Sequence, residues 1–256
     1  MDARNFFHFD DSSATKNSVF DSLLSHIGKI IYPNCCHNCH KETIQEDKGL
    51  CQECRYKLKL IINPCKICGE ELTNISTEKL VCGKCQTTIR YYDNVFAPFR
   101  YSDPLDKLIH NMKFANKISN CTLVAELLYE QIILQRIERP DCLIPAPINP
   151  KQFLHRGFNQ SIEISNRLGK LLDIPVKSDL IIKNDNTERQ SHLSFSQRQQ
   201  NLKGTFSLNR QIEAQHIAIV DDVITTTATV NEIAKIAKNN GVNTVQAWAC
   251  ARSIKT

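Results

Sequence analysis

Four Cys-x-x-Cys pairs, Cys36/Cys39, Cys51/Cys54, Cys65/Cys68 and Cys82/Cys85, are packed into one short stretch of the chain. Eleven residues separate the first pair from the second, and thirteen separate the third from the fourth. Each pair can set two thiolates on one side of a tetrahedral ion, and the hairpin between pairs brings the other two. Zinc accepts four such soft ligands with no open position, so each pair of pairs reads as a closed structural site. Two such sites make a double zinc ribbon. Cys68-Gly69 and Cys82-Gly83 place a glycine beside a ligand, which relieves the tight knuckle turn.

Other uses of the same cysteines have different signatures. A redox role attaches to one Cys-x-x-Cys beside a βαβ unit rather than to four in a row. Iron–sulfur ligation is compatible with the pairs as they stand. Cys35, His37 and His40 lie close enough to replace a ligand of the first site. The expectation is one or two structural Zn²⁺ ions. Cys121, Cys142 and Cys250 sit in apolar surroundings and read as core residues.

The compartment supports the metal reading. The N-terminal stretch MDARNFFHFDDSSATKN has no continuous apolar core of a signal peptide, and no run of the chain approaches a membrane span. A cytoplasmic location is expected. Cysteines in a reducing compartment are metal ligands more often than disulfides.

Residues 1–16 are polar and aperiodic, which predicts a disordered tail. From 17 to 32 the residues Phe20, Leu23, Leu24, Ile27, Ile30 and Ile31 recur at helical spacing, and Pro33 ends the pattern. That helix and the ribbon form a module over 17–90. Past Tyr91 the texture changes, and a second domain is expected over 91–256. Asp103 and Pro104 read as cap and first residue of a helix reaching Lys117. A strongly apolar helix follows over 122–137, a buried strand over 142–148 and a helix over 160–172. Strands near 176–182, 205–208, 216–220 and 244–249, with a helix over 228–238, complete the alternation. Strands alternating with helices indicate a parallel sheet with helices on both faces.

The segment HIAIVDDVITTTATV, from His216 to Val230, carries the chemistry. A hydrophobic strand delivers Asp221 and Asp222, a hydroxyl-rich turn follows, and a helix begins. Ligands of open parallel sheets bind outside the carboxyl ends of the strands. The backbone N–H groups of Thr225, Thr226, Thr227, Ala228 and Thr229 can cradle a phosphate at the helix N-terminus, with threonine hydroxyls adding donors. Asp221 and Asp222 can accept bonds from two ribose hydroxyls or hold Mg²⁺. Two adjacent acids at a buried strand end are an odd choice for capping alone.

This segment resembles the motif of type I phosphoribosyltransferases that binds 5-phosphoribosyl-1-pyrophosphate (PRPP). The usual loop has Thr-Thr-Gly where this chain has Thr225-Thr226-Thr227. A β-branched residue at that place resists a left-handed backbone and crowds the phosphate. Three further blocks resemble the ComF/GntX competence-protein family: IPAPINPKQFLHRGFNQ (144–160), RQSHLSFSQRQQNLKGTF (189–206) and IHNMKF (109–114). With the cysteine pairs in front, the likeness runs from about Leu23 to Ala251.

The resemblance implies a type I phosphoribosyltransferase-like fold behind a double zinc ribbon. It also implies a role in natural transformation, in handling incoming single-stranded DNA, with a companion DNA-translocating helicase at the inner face of the membrane as partner. By the same analogy the turn Pro145–Asn149 holds pyrophosphate through backbone donors, and Lys113, Lys151, Arg156, Arg189 and Arg198 are candidates for pyrophosphate or DNA phosphates. His155 and Lys203 add charge nearby. Taken alone, Lys151 and Arg156 read equally as surface bases, Lys113 as a solvated helix lysine, and 189–203 as a polar loop, lid or not.

Two functions follow. One is an adaptor that binds PRPP and single-stranded DNA. The other is an active phosphoribosyltransferase, in which Mg²⁺ and cationic side chains neutralise the leaving pyrophosphate as a base attacks. Charge does not decide between them: the whole chain is +5, and 145–204 holds nine Lys/Arg against five Asp/Glu. Aromatics for stacking on a strand are few, with Phe153, Phe158 and Phe195 the candidates.

Overall fold

The computed structural model describes residues 35–44, 49–72, 80–115, 117–184 and 204–254. The expected tail (1–16) and amphipathic helix (17–32) lie outside this set. The chain divides into two compact units, Met1–Gln52 and Glu53–Thr256.

In the first unit, Cys36 N donates to Lys41 O and His40 N donates back to Cys36 O, closing a knuckle in which His40 has φ 60°. The second unit repeats that turn in its own ribbon. Cys65 N donates to Glu70 O, Gly69 N donates to Cys65 O, and Gly69 takes φ 67° at the position equivalent to His40. The glycine has a second reason to be there, because a Cβ would stand 3.1 Å from Val95 Cγ1 and 3.2 Å from Val95 O. Gly83, expected to relieve the other turn, begins a helical turn instead and has no positive φ.

The described elements are α1 (Gln52–Tyr56), α2 (Gly83–Thr87), β1 (Asn94–Phe96), β2 (Phe99–Arg100), α3 (Leu105–Phe114), α4 (Ser119–Leu134), β3 (Cys142–Pro145), α5 (Pro150–Arg156), α6 (Gln160–Leu172), β4 (Ile181–Lys183), β5 (Phe206–Leu208), β6 (His216–Ile224), α7 (Ala228–Asn239) and β7 (Thr244–Arg252). The main sheet runs β1-β7-β6-β3 with β2 also on β7, and every pairing is parallel. β4 and β5 form a separate antiparallel pair.

The central strands are buried on both faces, which is why they read as nearly continuous apolar runs. Along one face Cys142, Ile144, Ile217, Ile219, Val245, Ala247 and Ala249 join Val230, Ile233, Ala234 and Ala237 of α7, and the ribbon cysteines Cys65, Cys68 and Cys85 belong to the same core. Alternate residues such as Ala218, Val220 and Trp248 point to the other face, where they too are buried. There α4 and α6 pack on each other and on the sheet. The α/β expectation, helices on both faces of a parallel sheet, is the fold observed.

Differences fall at element ends. Pro104 occupies the cap position of α3 rather than its first turn, behind a cis peptide, and the Asp103 carboxylate pairs with Lys107. The helix α5 was not expected, because PKQFLHR is too short to show a period. Local chemistry makes it: Asn149 Oδ1 accepts from Lys151 N at 2.8 Å, Pro150 opens the first turn, and Gly157 closes it at φ 77°. The strand expected over 216–220 continues to Ile224, because β7 runs on beside it and pairs Asp221 with Ala249 and Ile224 with Arg252.

Candidate functional site

The extension of β6 makes the site. Its neighbour β3 ends at Pro145, opposite Val220, while β6 continues through Asp221 and Asp222. The two acids therefore stand beyond the end of β3, beside a cavity of about 350 Å³. The cavity is lined by Asp221, Asp222, Thr225 and Thr229 from the β6–α7 segment, by Ala146, Pro147 and Ile148 after β3, and by Lys113 and Arg156. These residues come from widely separated parts of the sequence.

Each carboxylate spends one oxygen on the fold. Asp221 Oδ1 accepts from Ser161 Oγ at 3.1 Å and from Asp222 N at 2.9 Å. Asp222 Oδ1 accepts from Val223 N at 2.8 Å. Asp222 Oδ2 is buried 2.8 Å from Lys113 Nζ, compensated by charge rather than by a directed hydrogen bond. Burial, with repulsion from Asp222, pushes the Asp221 carboxyl up to about 7, against the pull of Lys113 and its own hydrogen bonds. Burial alone would lower the Lys113 ammonium, but the charge of Asp222 beside it more than offsets it, so its pKa is raised. The reading of Lys113 as a solvated helix lysine does not hold.

The RGFNQ block is now legible residue by residue. Gly157 ends α5 and Phe158 is buried, so Phe158 is not available for stacking on a strand. Asn159 Oδ1 caps α6 by accepting from Ser161 N at 2.9 Å, while its Nδ2 donates to Ala146 O at 3.1 Å and fixes the turn after β3. Gln160 lines the cavity at 2% exposure, and its Nε2 has no acceptor among the described residues. A buried amide donor without a partner costs about 1–3 kcal/mol, and a ligand oxygen would remove that cost.

The turn expected to hold pyrophosphate has fewer donors than its length suggests. Pro145 and Pro147 have no N–H, and Ala146 N is committed to Val220 O. Ile148 and Asn149 are what remain.

In the threonine loop, Thr225 and Thr229 line the cavity, while Thr227 is buried and turned away. Thr227 adopts φ 63°, ψ 1° as the cap of α7, the left-handed backbone that a β-branched residue resists. Its Oγ1 accepts from Tyr92 OH at 3.1 Å, which holds it there. Thr226 Oγ1 accepts from Ala228 N at 3.4 Å.

Of the remaining candidates, Lys151 is exposed and outside the cavity lining. Arg189, Arg198 and Lys203, with Phe195, lie outside the described residues. Sequence reasoning missed Lys183, Tyr101, Gln152 and Ser161, all in the lining. Lys183 arrives on β4, and burial lowers its pKa while Asp221 pulls the other way. No sequence signal marks it, since IIK reads only as the end of a strand. Among the described lining residues, three cations (Lys113, Arg156, Lys183) face two carboxylates, a balance suited to a polyanion.

The cysteines form two tetrads, Cys36/Cys39/Cys51/Cys54 and Cys65/Cys68/Cys82/Cys85, with the sulfurs of each within 4.8 Å of one another. Cys39 and Cys51 sulfurs are 3.6 Å apart, and those of Cys68 and Cys82 3.7 Å. Tetrahedral zinc with Zn–S of about 2.3 Å sets its sulfurs roughly 3.75 Å apart, so the residues fit that ion. Burial opposes ionisation of Cys65, but N–H groups of Cys68, Cys82 and Ile67 overcome it and bring the thiol to about 7. Cys36, with backbone donors Cys39, Cys51 and Asn38 working against burial, falls to about 6. At Cys36 and Cys65 donors already aimed at sulfur favour the thiolate form that binds metal, whereas burial pushes the Cys68 and Cys85 thiols up.

A family model described as a double zinc ribbon domain matches residues 27–89. The chain is 32% identical over 225 residues to competence protein F of Haemophilus influenzae, covering 85% of this chain and 96% of that one. It is 30% identical over 226 residues to the DNA utilization protein YhgH of Salmonella typhimurium, covering 87% and 98%. Among solved structures, a purine phosphoribosyltransferase from Pyrococcus horikoshii is 18% identical, with a TM-score of 0.30 over 52% of this chain and 72% of that one. No helix of the described residues is long and apolar enough to cross a membrane.

Proposed function

The chain belongs to the ComF/GntX family of competence proteins, and on that premise we propose that it is a PRPP-binding, phosphoribosyltransferase-like protein that handles incoming single-stranded DNA in natural transformation. The observation that supports the ligand reading best is the cavity beside Asp221 and Asp222, where charges from four parts of the sequence converge around the unpaired amide of Gln160. PRPP combines a ribose, one phosphate and a pyrophosphate. The carboxylates suit the ribose hydroxyls, and the threonine loop suits the 5-phosphate. Lys113, Arg156 and Lys183 suit the pyrophosphate. Asp221 Oδ2 and Asp222 Oδ2, the latter here paired with Lys113, are the atoms that would hold Mg²⁺, which would offset pyrophosphate charge when bound. The DNA part of the reading, and a helicase partner at the inner face of the membrane, rest on family membership.

Calorimetric titration of PRPP with Mg²⁺ tests the ligand. Saturable binding is expected for the wild type and its loss in Asp221→Ala/Asp222→Ala with the fold intact by circular dichroism. A wild type that binds no PRPP would overturn the reading. Pyrophosphate release with a panel of bases would instead establish the alternative, an active transferase.

A further inference from the structure

The helix α5 is an anomaly at the cavity mouth, since none of its residues is buried. It nevertheless carries Phe153 at 46% exposure and Leu154 at 83%. Single exposed apolar residues are ordinary on a protein surface, but two adjacent ones on a helix that buries nothing are not. Beside it, the last residue of α3, Phe114, is 61% exposed. The Arg156 guanidinium carbon lies 5.5 Å from the Phe114 ring centroid, and the His110 ring is 4.7 Å from it at 37°. Arg156 thus faces two ways, onto the aromatic ring and into the cavity lining.

α5 contains Lys151, His155 and Arg156 and no acid, and the one acid of α3, Asp106, lies in its first turn, away from Phe114. Lys107 and Lys113 of α3 are paired with Asp103 and Asp222, so the cations in excess are those of α5. An apolar peptide or a helix from a partner protein would be served by the aromatic and leucine side chains but not by this excess of cations. A single nucleic-acid strand needs both, with a plane for each unstacked base and a cation for each phosphate. Phe153 and Arg156 are three apart on a helix and so share a face, which sets a ring beside a guanidinium.

We infer that a single nucleic-acid strand docks on the exposed face formed by α5 and the C-terminal turn of α3, its bases stacked on Phe114 and Phe153 and its phosphates on Lys151 and Arg156. This rests on the DNA-handling reading above and gives it a location. It places the strand at the mouth of the phosphate cavity, with Arg156 shared between the two ligands. The recognition is of bases as planes, so it is indifferent to sequence and disfavours a duplex, whose bases are already stacked.

The experiment is fluorescence anisotropy of the full chain with a labelled oligothymidylate of about 20 nucleotides, longer than common single-strand footprints. Phe114→Ala and Phe153→Ala are each expected to weaken binding roughly tenfold, while PRPP calorimetry on Phe153→Ala stays at the wild-type value, since that ring does not line the cavity. Phe114→Ala, which removes the ring under Arg156, is read on the strand alone. Arg156→Ala is expected to weaken both ligands. Wild-type binding that the two aromatic substitutions leave unchanged would overturn this location and leave the DNA-handling reading standing. Equal affinity for a duplex of the same length would also overturn it, because the contact would then be to phosphates alone. A wild type that binds no strand would remove the DNA-handling reading and this inference together.

Discussion

Arg252 Nε donates to the main-chain carbonyl of Cys68 across 3.1 Å, joining the last strand of the sheet to a ligand of the second cysteine tetrad. The same guanidinium donates to Ile224 O at 3.0 Å, to Thr225 O, and to Glu70 Oε2 at 2.7 Å. Its side chain is 4% exposed. One buried cation therefore ties the second ribbon to the start of the threonine loop.

Removing that cation strands several carbonyls and the Glu70 carboxylate. Breaking a buried charge network costs about 3–5 kcal/mol. Arg252→Met is expected to lose stability on that order in urea unfolding, and to speed amide exchange over 225–229. Exchange at wild-type rates would mean that the loop is held from elsewhere.

The tetrads predict two zinc ions per chain by elemental analysis, falling to one in Cys65→Ser/Cys68→Ser. Chelation is expected to lower the melting temperature, because metal binding to such ligands is folding free energy. Loss of the second ion is expected to loosen 225–229 through Arg252. A chain that melts identically with and without zinc would show the tetrads to be dispensable.

Thr227 and Tyr92 form a coupled pair. Thr227→Gly relieves a left-handed strain of about 1–3 kcal/mol, but it leaves the buried Tyr92 hydroxyl unpaired at a cost of about 1–3 kcal/mol. The single variant is thus expected near wild type, Tyr92→Phe about 1 kcal/mol less stable, and the double variant at least as stable as wild type. A double-mutant cycle measures this. Strict additivity would show that the hydrogen bond does not hold the loop.

Asp221 predicts a pH dependence with a definite sign. Its folded pKa, raised by burial and by Asp222 to about 7, exceeds its ordinary value of 3.8. Between these values the folded chain keeps a proton that the unfolded chain has lost. Its contribution to stability therefore falls as pH rises through that window and levels off above it. Urea midpoints of Asp221→Asn, which does not titrate, are expected to show a flatter profile from pH 5 to 8. Identical slopes would place the titrating group elsewhere.

The cysteine pairs and the β6–α7 segment were legible because their information is local. A Cys-x-x-Cys knuckle, or a strand running into two acids and a helix cap, is complete within a few residues. The knuckle of Cys65 and that of Cys36 even repeat the same two backbone bonds. The helix over 160–172 was equally legible, since a period of 3.6 residues needs no partner to be seen.

What only the tertiary structure decided lies at the ends of elements and across them. β6 runs past Val220 because β7 accompanies it, and Asp221 faces a cavity because β3 stops there. Lys183 enters that cavity from an antiparallel pair, and Arg252 reaches a ribbon carbonyl 184 residues away. The sequence alone determined which residues could bear charge, hold metal or turn the chain. Which of those charges meet depends on sheet register and on where a neighbouring strand ends, and neither is a property of the segment that carries the charge.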